Sequence, residues 1–157
     1  MKNSALSALK GFTLIELLVV ISIIGILATL IFANFAGVRE RGRDAARKSD
    51  INNIQKALEI YKSSQATPQY PPSATWRDAL QDTAHSGANA AMKVVPHDPK
   101  YDSACSSGCW PDYSYTLNAT DNLKYTLITC FENASDQQKD STKDASCSIA
   151  SFTRTEP

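Results

Sequence analysis

Phe12-Thr13-Leu14-Ile15-Glu16-Leu17-Leu18-Val19-Val20-Ile21-Ser22-Ile23-Ile24-Gly25-Ile26-Leu27-Ala28-Thr29-Leu30-Ile31-Phe32-Ala33-Asn34-Phe35 is a largely aliphatic run interrupted by one charge, Glu16. At about 1.5 Å per residue it reaches roughly 36 Å as a helix, enough to cross a hydrocarbon core of about 30 Å. A carboxylate at mid-membrane costs on the order of 2.5–3.5 kcal/mol on insertion scales, and less near an interface. Glu16 lies near one end of the run, so its cost is partial. A charge inside such a segment marks a functional position and calls for a partner.

The partner is suggested just upstream. Residues 1–11 (MKNSALSALKG) carry Lys2 and Lys10 and end in Gly11 directly before the apolar run. An ordinary secretory signal has its small-residue cleavage site after the apolar region, and none stands there. A cut between Gly11 and Phe12 leaves the apolar helix on the mature chain. It also creates an amine on Phe12, one helical turn from Glu16. That cation can neutralise the carboxylate, in its own chain or in a neighbour.

The string Lys10-Gly11-Phe12-Thr13-Leu14-Ile15-Glu16-Leu17, continued by Val19-Val20-Ile21 and Ile24-Gly25-Ile26-Leu27-Ala28, resembles the type III signal of type IV pilins and pseudopilins. The likeness covers about the first fifty residues. It implies a prepilin peptidase that cuts after Gly11 and N-methylates Phe12. It implies an α+β lollipop, a long N-terminal helix with a small antiparallel β-sheet head, polymerised by helix packing. Glu16 matches the family's acidic residue, which pairs with the N-terminal amine of an adjacent subunit during assembly. Many relatives have proline where this chain has Ala33, so any kink or melting of the helix rests on Gly25.

The resemblance divides the chain into a leader (1–11), a transmembrane and polymerisation helix (12–35), an amphipathic continuation (36–65) and a globular, disulfide-stabilised head (66–157). At 157 residues there is room for one modest domain beside the membrane helix. The formal charge is zero for the whole chain, and the two lysines lost with the leader bring it to −2. No strong electrostatic partner is implied. Orientation is contested: Arg39, Arg41, Arg43, Arg47 and Lys48 follow the run, and a naive count of flanking positive charge puts the head in the cytoplasm. The four cysteines all lie in the head and favour an oxidising compartment. The family implies the same: a single-pass inner-membrane protein with an extracytoplasmic head, then an extracellular pilus or a periplasmic pseudopilus.

Beyond the run, Ile51, Ile54, Leu58 and Tyr61 form one stripe of a 3.6-residue period, with Arg47, Lys48, Asp50, Gln55, Lys56, Glu59 and Lys62 at the remaining positions. Ser63–Pro68 reads as the stop. A continuous helix from Phe12 to about Gln65 is roughly 80 Å long, with Gly37 and Gly42 as places to bend. The basic stretch Arg39–Lys48 reads as a solvated face at headgroup level or as inter-subunit contacts. DNA is disfavoured, because Glu40 and Asp44 dilute the field and no aromatics are available for base stacking. No specific nucleic-acid partner is expected.

The head turns loop-rich. Pro68-Gln69-Tyr70-Pro71-Pro72 is a rigid connector, and Trp76–Thr83 reads as a short helix. Ser86-Gly87-Ala88-Asn89 marks a turn, and Val94-Val95-Pro96-His97-Asp98-Pro99 is irregular. Strands are expected at Tyr113–Leu117 and Lys124–Phe131, with Asn118–Asn122 as the turn between them. Cys147–Phe152 is a weaker third. The order of long helix, tyrosine-proline connector, proline-aspartate-proline and terminal strands resembles major pilins and the major pseudopilin of type II secretion, without separating them.

Cys105, Cys109, Cys130 and Cys147 allow three complete pairings, and proximity favours Cys105–Cys109 with Cys130–Cys147. The second bridge would pin the polar segment Ser135–Ser146 against the sheet. A zinc site from Cys105, Cys109 and His97 lacks a second matched pair of ligands, so disulfides are preferred. The major secretion pseudopilin carries a calcium site in its C-terminal loops, which draws attention to Asp136, Asp140 and Asp144. Their spacing is not that of an EF-hand, and Lys139 and Lys143 repel a cation. No metal or other cofactor is assigned. Asn118-Ala119-Thr120 and Asn133-Ala134-Ser135 match the glycosylation pattern incidentally.

No catalytic constellation is present. His85 and His97 have no adjacent nucleophile pattern, and there is no glycine-rich phosphate loop. Two functions of different class follow. One is a structural subunit that forms a homopolymer through its N-terminal helices, with a prepilin peptidase and a pilus or secretion assembly machinery as partners and the cytoplasmic membrane as its site before assembly. Its filament is a type IV pilus for adhesion, motility or DNA uptake, or a type II secretion pseudopilus. The other is a monomeric, membrane-tethered extracytoplasmic binding module.

Overall fold

The computed structural model describes residues 11–32, 35–81, 90–105 and 109–157. Expectations for residues 1–10 of the leader, for Ala33, for His85 and for the turn Ser86–Asn89 lie outside the described residues. The chain divides into two compact units, Met1–Val38 and Arg39–Pro157. The fold is α+β.

In the first unit, α1 spans Leu14–Phe32, 19 residues. It begins two residues later than the apolar run because Thr13 serves as its N-cap, a position outside helical geometry. It passes through Gly25 without interruption. The hydroxyls of Ser22 and Thr29 bond back to the carbonyls of Val19 and Ile26 at 2.7 Å each, so neither needs a partner outside the helix. Leu14, Ile15, Leu17, Leu18, Val19, Val20, Ile21, Ile23, Ile24, Ile26 and Leu27 are all exposed. A helix that is apolar all round is one that larger assemblies or membranes bury. Among the described residues no helix is long and apolar enough to cross a membrane. Nineteen residues reach about 28 Å against a core of about 30 Å, and the run read from the sequence extends past α1 at both ends.

The next helix, α2, spans Phe35–Ser64 and ends where the serine-rich stop is expected. Whether it continues α1 depends on residues 33 and 34, outside the described ones. In the second unit α2 is followed by α3 (Trp76–Gln81), β1 (Ser114–Leu117), β2 (Tyr125–Phe131) and β3 (Ala150–Thr155). The sheet order is β1-β2-β3, antiparallel throughout, with β2 central. The turn between β1 and β2 is held by the Asn118 side chain, whose Oδ1 accepts from the Thr120 and Asp121 amides.

Strand β3 starts three residues later than the sequence suggests. Cys147, Ser148 and Ile149 are taken up in reaching the disulfide with Cys130, so ladder pairing begins only at Ala150, opposite Phe131. Along β2, Tyr125, Leu127, Thr129 and Phe131 are buried on one face. Cys130 points to the other face and is buried there beneath the Cys147 segment.

The core joins Ile51, Ile54 and Leu58 of α2 to Trp76 and Leu80 of α3 and to Tyr115, Tyr125, Leu127, Phe131 and Phe152 of the sheet. The proline-rich connector is fastened into it: Tyr70 is buried, and the Pro71 carbonyl accepts from the Tyr115 hydroxyl at 2.9 Å. At this level the stripe predicted on α2 does what its period implies.

Above Ile51 the structure corrects the reading of residues 39–48 as a solvated face. The buried stripe of α2 extends back through Arg47 and Asp44, both almost fully out of solvent. Arg47 donates from Nε and Nη2 to Asp98 (2.6 and 2.9 Å), and from Nη1 to Asp44 (2.7 Å) and Glu132 (2.8 Å). Arg43 grips Glu132 through two further bonds of 2.6 Å. Asp44 also accepts from the amides of Glu132 and Asn133. Burial alone would lower the Arg47 pKa, but its bonds to Asp98, Glu132 and Asp44 outweigh this and raise it. The cluster ties α2 to the Pro96-His97-Asp98-Pro99 segment and to the end of β2. Arg39 and Arg41 stay exposed.

Candidate assembly site at the start of α1

Gly11, Phe12 and Thr13 precede the helix, and Phe12 is exposed. Thr13 and Glu16 form a reciprocal cap. The Glu16 amide donates to Thr13 Oγ1 at 3.2 Å, while Glu16 Oε2 accepts from the Thr13 amide at 3.3 Å and from its hydroxyl at 3.1 Å. This is the S/T-x-x-E capping box, which satisfies amides that the first helical turn leaves without partners. The carboxylate also stands at the positive end of the helix dipole. Its contacts with Thr13 all use Oε2, so Oε1 is the atom a further cation would approach.

Thr13 joins Glu16 at this site as a residue that hydrophobic length and a lone charge do not point to. The T-x-x-E spacing was the available signal. Phe12 is not itself in the helix, so an amine exposed there sits beyond the N-cap rather than on the first helical turn. The local geometry therefore holds the carboxylate at the helix mouth, against the amide and hydroxyl of Thr13.

The remaining candidate residues lie in the second unit. The disulfides join Cys105 to Cys109 and Cys130 to Cys147, each to its nearest neighbour in sequence. Cys105 and Cys109 are thereby unavailable as thiolate ligands for a zinc ion with His97. His97 instead stacks on Tyr101 and pairs through Nδ1 with Asp112 at 2.6 Å, where Arg77 also binds. Asp136, Asp140 and Asp144 are each engaged by protein donors: Lys48, the Ser151 and Thr153 hydroxyls, and Ser146 respectively.

Comparison with known proteins agrees with the geometry at the N-terminus. Residues 7–32 match the model of the prokaryotic N-terminal methylation motif. The chain is 41% identical over 97 residues to type II secretion system core protein G of Aeromonas hydrophila, covering 57% of this chain and 66% of that protein. It is 38% identical over 97 residues to core protein G of Klebsiella michiganensis, covering 57% of this chain and 67% of the relative. It is 45% identical over 53 residues to the type IV wide pilus major component PilA4 of Thermus thermophilus, covering 34% of this chain and 40% of that protein. The matched region thus spans about two thirds of each core protein G and 40% of the pilus component. No solved structure matches. With its methylation motif, its α+β fold and its likeness to core protein G, the chain belongs to the family of type IV pilins and type II secretion pseudopilins.

Proposed function

We propose that this chain is the structural subunit of a helical filament, made as a membrane-anchored precursor and built into the polymer after processing. In this reading a prepilin peptidase removes residues 1–11 and methylates the new amine of Phe12. Residues 12–35 hold the subunit in the cytoplasmic membrane and later pack against the same segment of neighbouring copies. Residues 36–65 continue as an amphipathic helix into the extracytoplasmic head, residues 66–157. The role is structural, and no catalytic step belongs to it.

The observation that carries this reading is a helix, apolar on every side and capped by Thr13, that begins two residues past Phe12 within the matched methylation motif. Glu16 supplies the pairing charge. In an apolar filament core its Oε1 would meet the Phe12 amine of an adjacent copy, so the correct axial register neutralises two charges and a wrong register strands both. Matches to core protein G cover 57% of the chain and the match to the pilus component 34%, a difference that favours a secretion pseudopilus over a pilus.

Mass spectrometry of the subunit, taken from the cell envelope as well as from sheared fibres, tests the proposal. The expected subunit lacks residues 1–11 and carries one methyl group on Phe12. A subunit recovered only from membranes, with Met1 intact, would instead indicate a tethered monomeric module.

A further inference from the structure

The loop between β2 and β3, residues 132–149, is where the family resemblance implies calcium. A calcium site needs six to eight oxygens converging at about 2.3–2.6 Å, usually with several carboxylates free to turn inward. The donor set here is already spent on partners within the chain. Both oxygens of Asp136 take the Lys48 ammonium, at 2.8 and 2.7 Å. Asp140 Oδ2 accepts the hydroxyls of Ser151 and Thr153 at 2.5 and 2.7 Å, and its Oδ1 accepts the Thr153 amide. Asp144 Oδ1 accepts the amide and hydroxyl of Ser146. The three carboxylates thus face three separate donor groups. Among the described residues no group of three or more His, Cys, Asp or Glu is disposed to hold a metal ion.

Two of the loop's backbone oxygens are answered in the same way. Lys139 Nζ donates to the Ala134 carbonyl at 2.5 Å, and Lys143 Nζ donates to the Cys147 carbonyl. These are cations contributed by the loop to its own acceptors, one on each side of Asp140. The Cys130–Cys147 bridge fixes the far end of the loop to the buried outer face of β2.

We infer that lysine ammonium groups stand in for a divalent cation in this loop, so that its order depends on Lys139, Lys143 and the Cys130–Cys147 bridge and not on calcium. The donor set does not fit calcium, and no step of assembly is routed through that ion. The inference stands apart from the filament reading, since neither readout below involves fibre formation.

The test uses the full-length protein in detergent. Thermal unfolding is followed by circular dichroism in millimolar calcium chloride and in EGTA, and the two midpoints are expected to coincide. A midpoint several degrees higher in calcium, reversed by EGTA, overturns the inference, because a ligand bound to the native state must raise the transition. In a second arm, Lys139→Ala, Lys143→Ala and the exposed control Lys93→Ala are digested with subtilisin, which does not require lysine at the cut. Cleavage within residues 132–149 is expected to quicken several-fold for the first two and not for the control, equally in calcium and in EGTA. Equal cleavage for all three variants overturns the inference as well.

Discussion

The guanidinium of Arg47 clasps the carboxylate of Asp98 through two bonds, Nε to Oδ2 at 2.6 Å and Nη2 to Oδ1 at 2.9 Å, with both side chains fully removed from solvent. The fork matches a carboxylate in both position and plane, which an ammonium cannot do. Arg47 lies in α2 and Asp98 in an irregular segment, so this pair fixes a stretch that has no ladder of its own. The Trp110 ring lies over the Arg47 guanidinium, its centroid 4.7 Å from the guanidinium carbon.

Removing the arginine takes the two-bond cationic partner from Asp98 and one cationic partner each from Asp44 and Glu132, which keep the Glu132 and Asn133 amides and Arg43 respectively. Arg47→Met is expected to destabilise the head by about 3–5 kcal/mol, the range for breaking a buried ion pair from one side. Arg47→Lys keeps the charge but loses the fork, and should recover only part of that loss. Denaturant unfolding of the full chain in detergent measures both. A loss under about 1 kcal/mol for Arg47→Met would show that the cluster contributes little.

Acid should undo the same cluster. Bonds from Arg43 hold the Glu132 carboxyl down, from 4.5 to about 2; burial opposes this and the Arg47 bond adds to it. Since the folded value lies below the unfolded one, the stability it contributes is complete above about pH 4.5. It is lost as the pH falls through about 2, and amounts to roughly 3 kcal/mol as an upper figure. Glu132→Gln should be less stable near neutrality and flatter across that acid window. Parallel curves for the two proteins between about pH 5 and pH 2 would contradict the assignment.

The two disulfides should differ in weight. Cys130–Cys147 closes a longer loop, with a separation of 17 residues against 4, and on chain-entropy grounds it is worth about 3 kcal/mol against about 2. It also covers the outer face of β2. Replacing Cys130 and Cys147 by serine should lower the unfolding midpoint more than the same change at Cys105 and Cys109. The reverse ranking would show that the small loop does more than its length implies.

At the N-terminus, Glu16→Gln separates capping from charge pairing. Glutamine serves the capping box as glutamate does, but it carries no charge. The variant is expected to insert in the membrane with α1 intact and to yield few or no fibres, scored by cross-linking of subunits in the cell envelope and by electron microscopy of sheared material. Wild-type fibre numbers would mean that Glu16 acts only as the Thr13 partner.

Much of the head was legible where side-chain period and turn chemistry act locally. Ile51, Ile54 and Leu58 announced their stripe, and the β-branched and aromatic residues of 113–117 and 124–131 announced two strands. The same period run backwards reaches Arg47 and Asp44, yet both were assigned to the solvated side, because charge in a helix ordinarily signals solvent. What reverses that expectation is far away in sequence: Asp98 and Glu132 lie 51 and 85 residues from Arg47. No local pattern reports such distant countercharges. The late start of β3 has a similar origin, since the cross-link to the distant Cys130 takes up the first three residues of the expected strand.

The sequence by itself determined the N-terminal logic: an apolar run too long for a core helix, one carboxylate near its start, and a glycine-phenylalanine junction before it. It did so because hydrophobic length and a lone charge are properties of a contiguous stretch. Only the tertiary structure decided which charges are buried, which acceptors the lysines of the last loop satisfy, and where the third strand begins. Those outcomes depend on groups distant along the chain meeting in a low-dielectric interior, where a charge is tolerated only beside its countercharge.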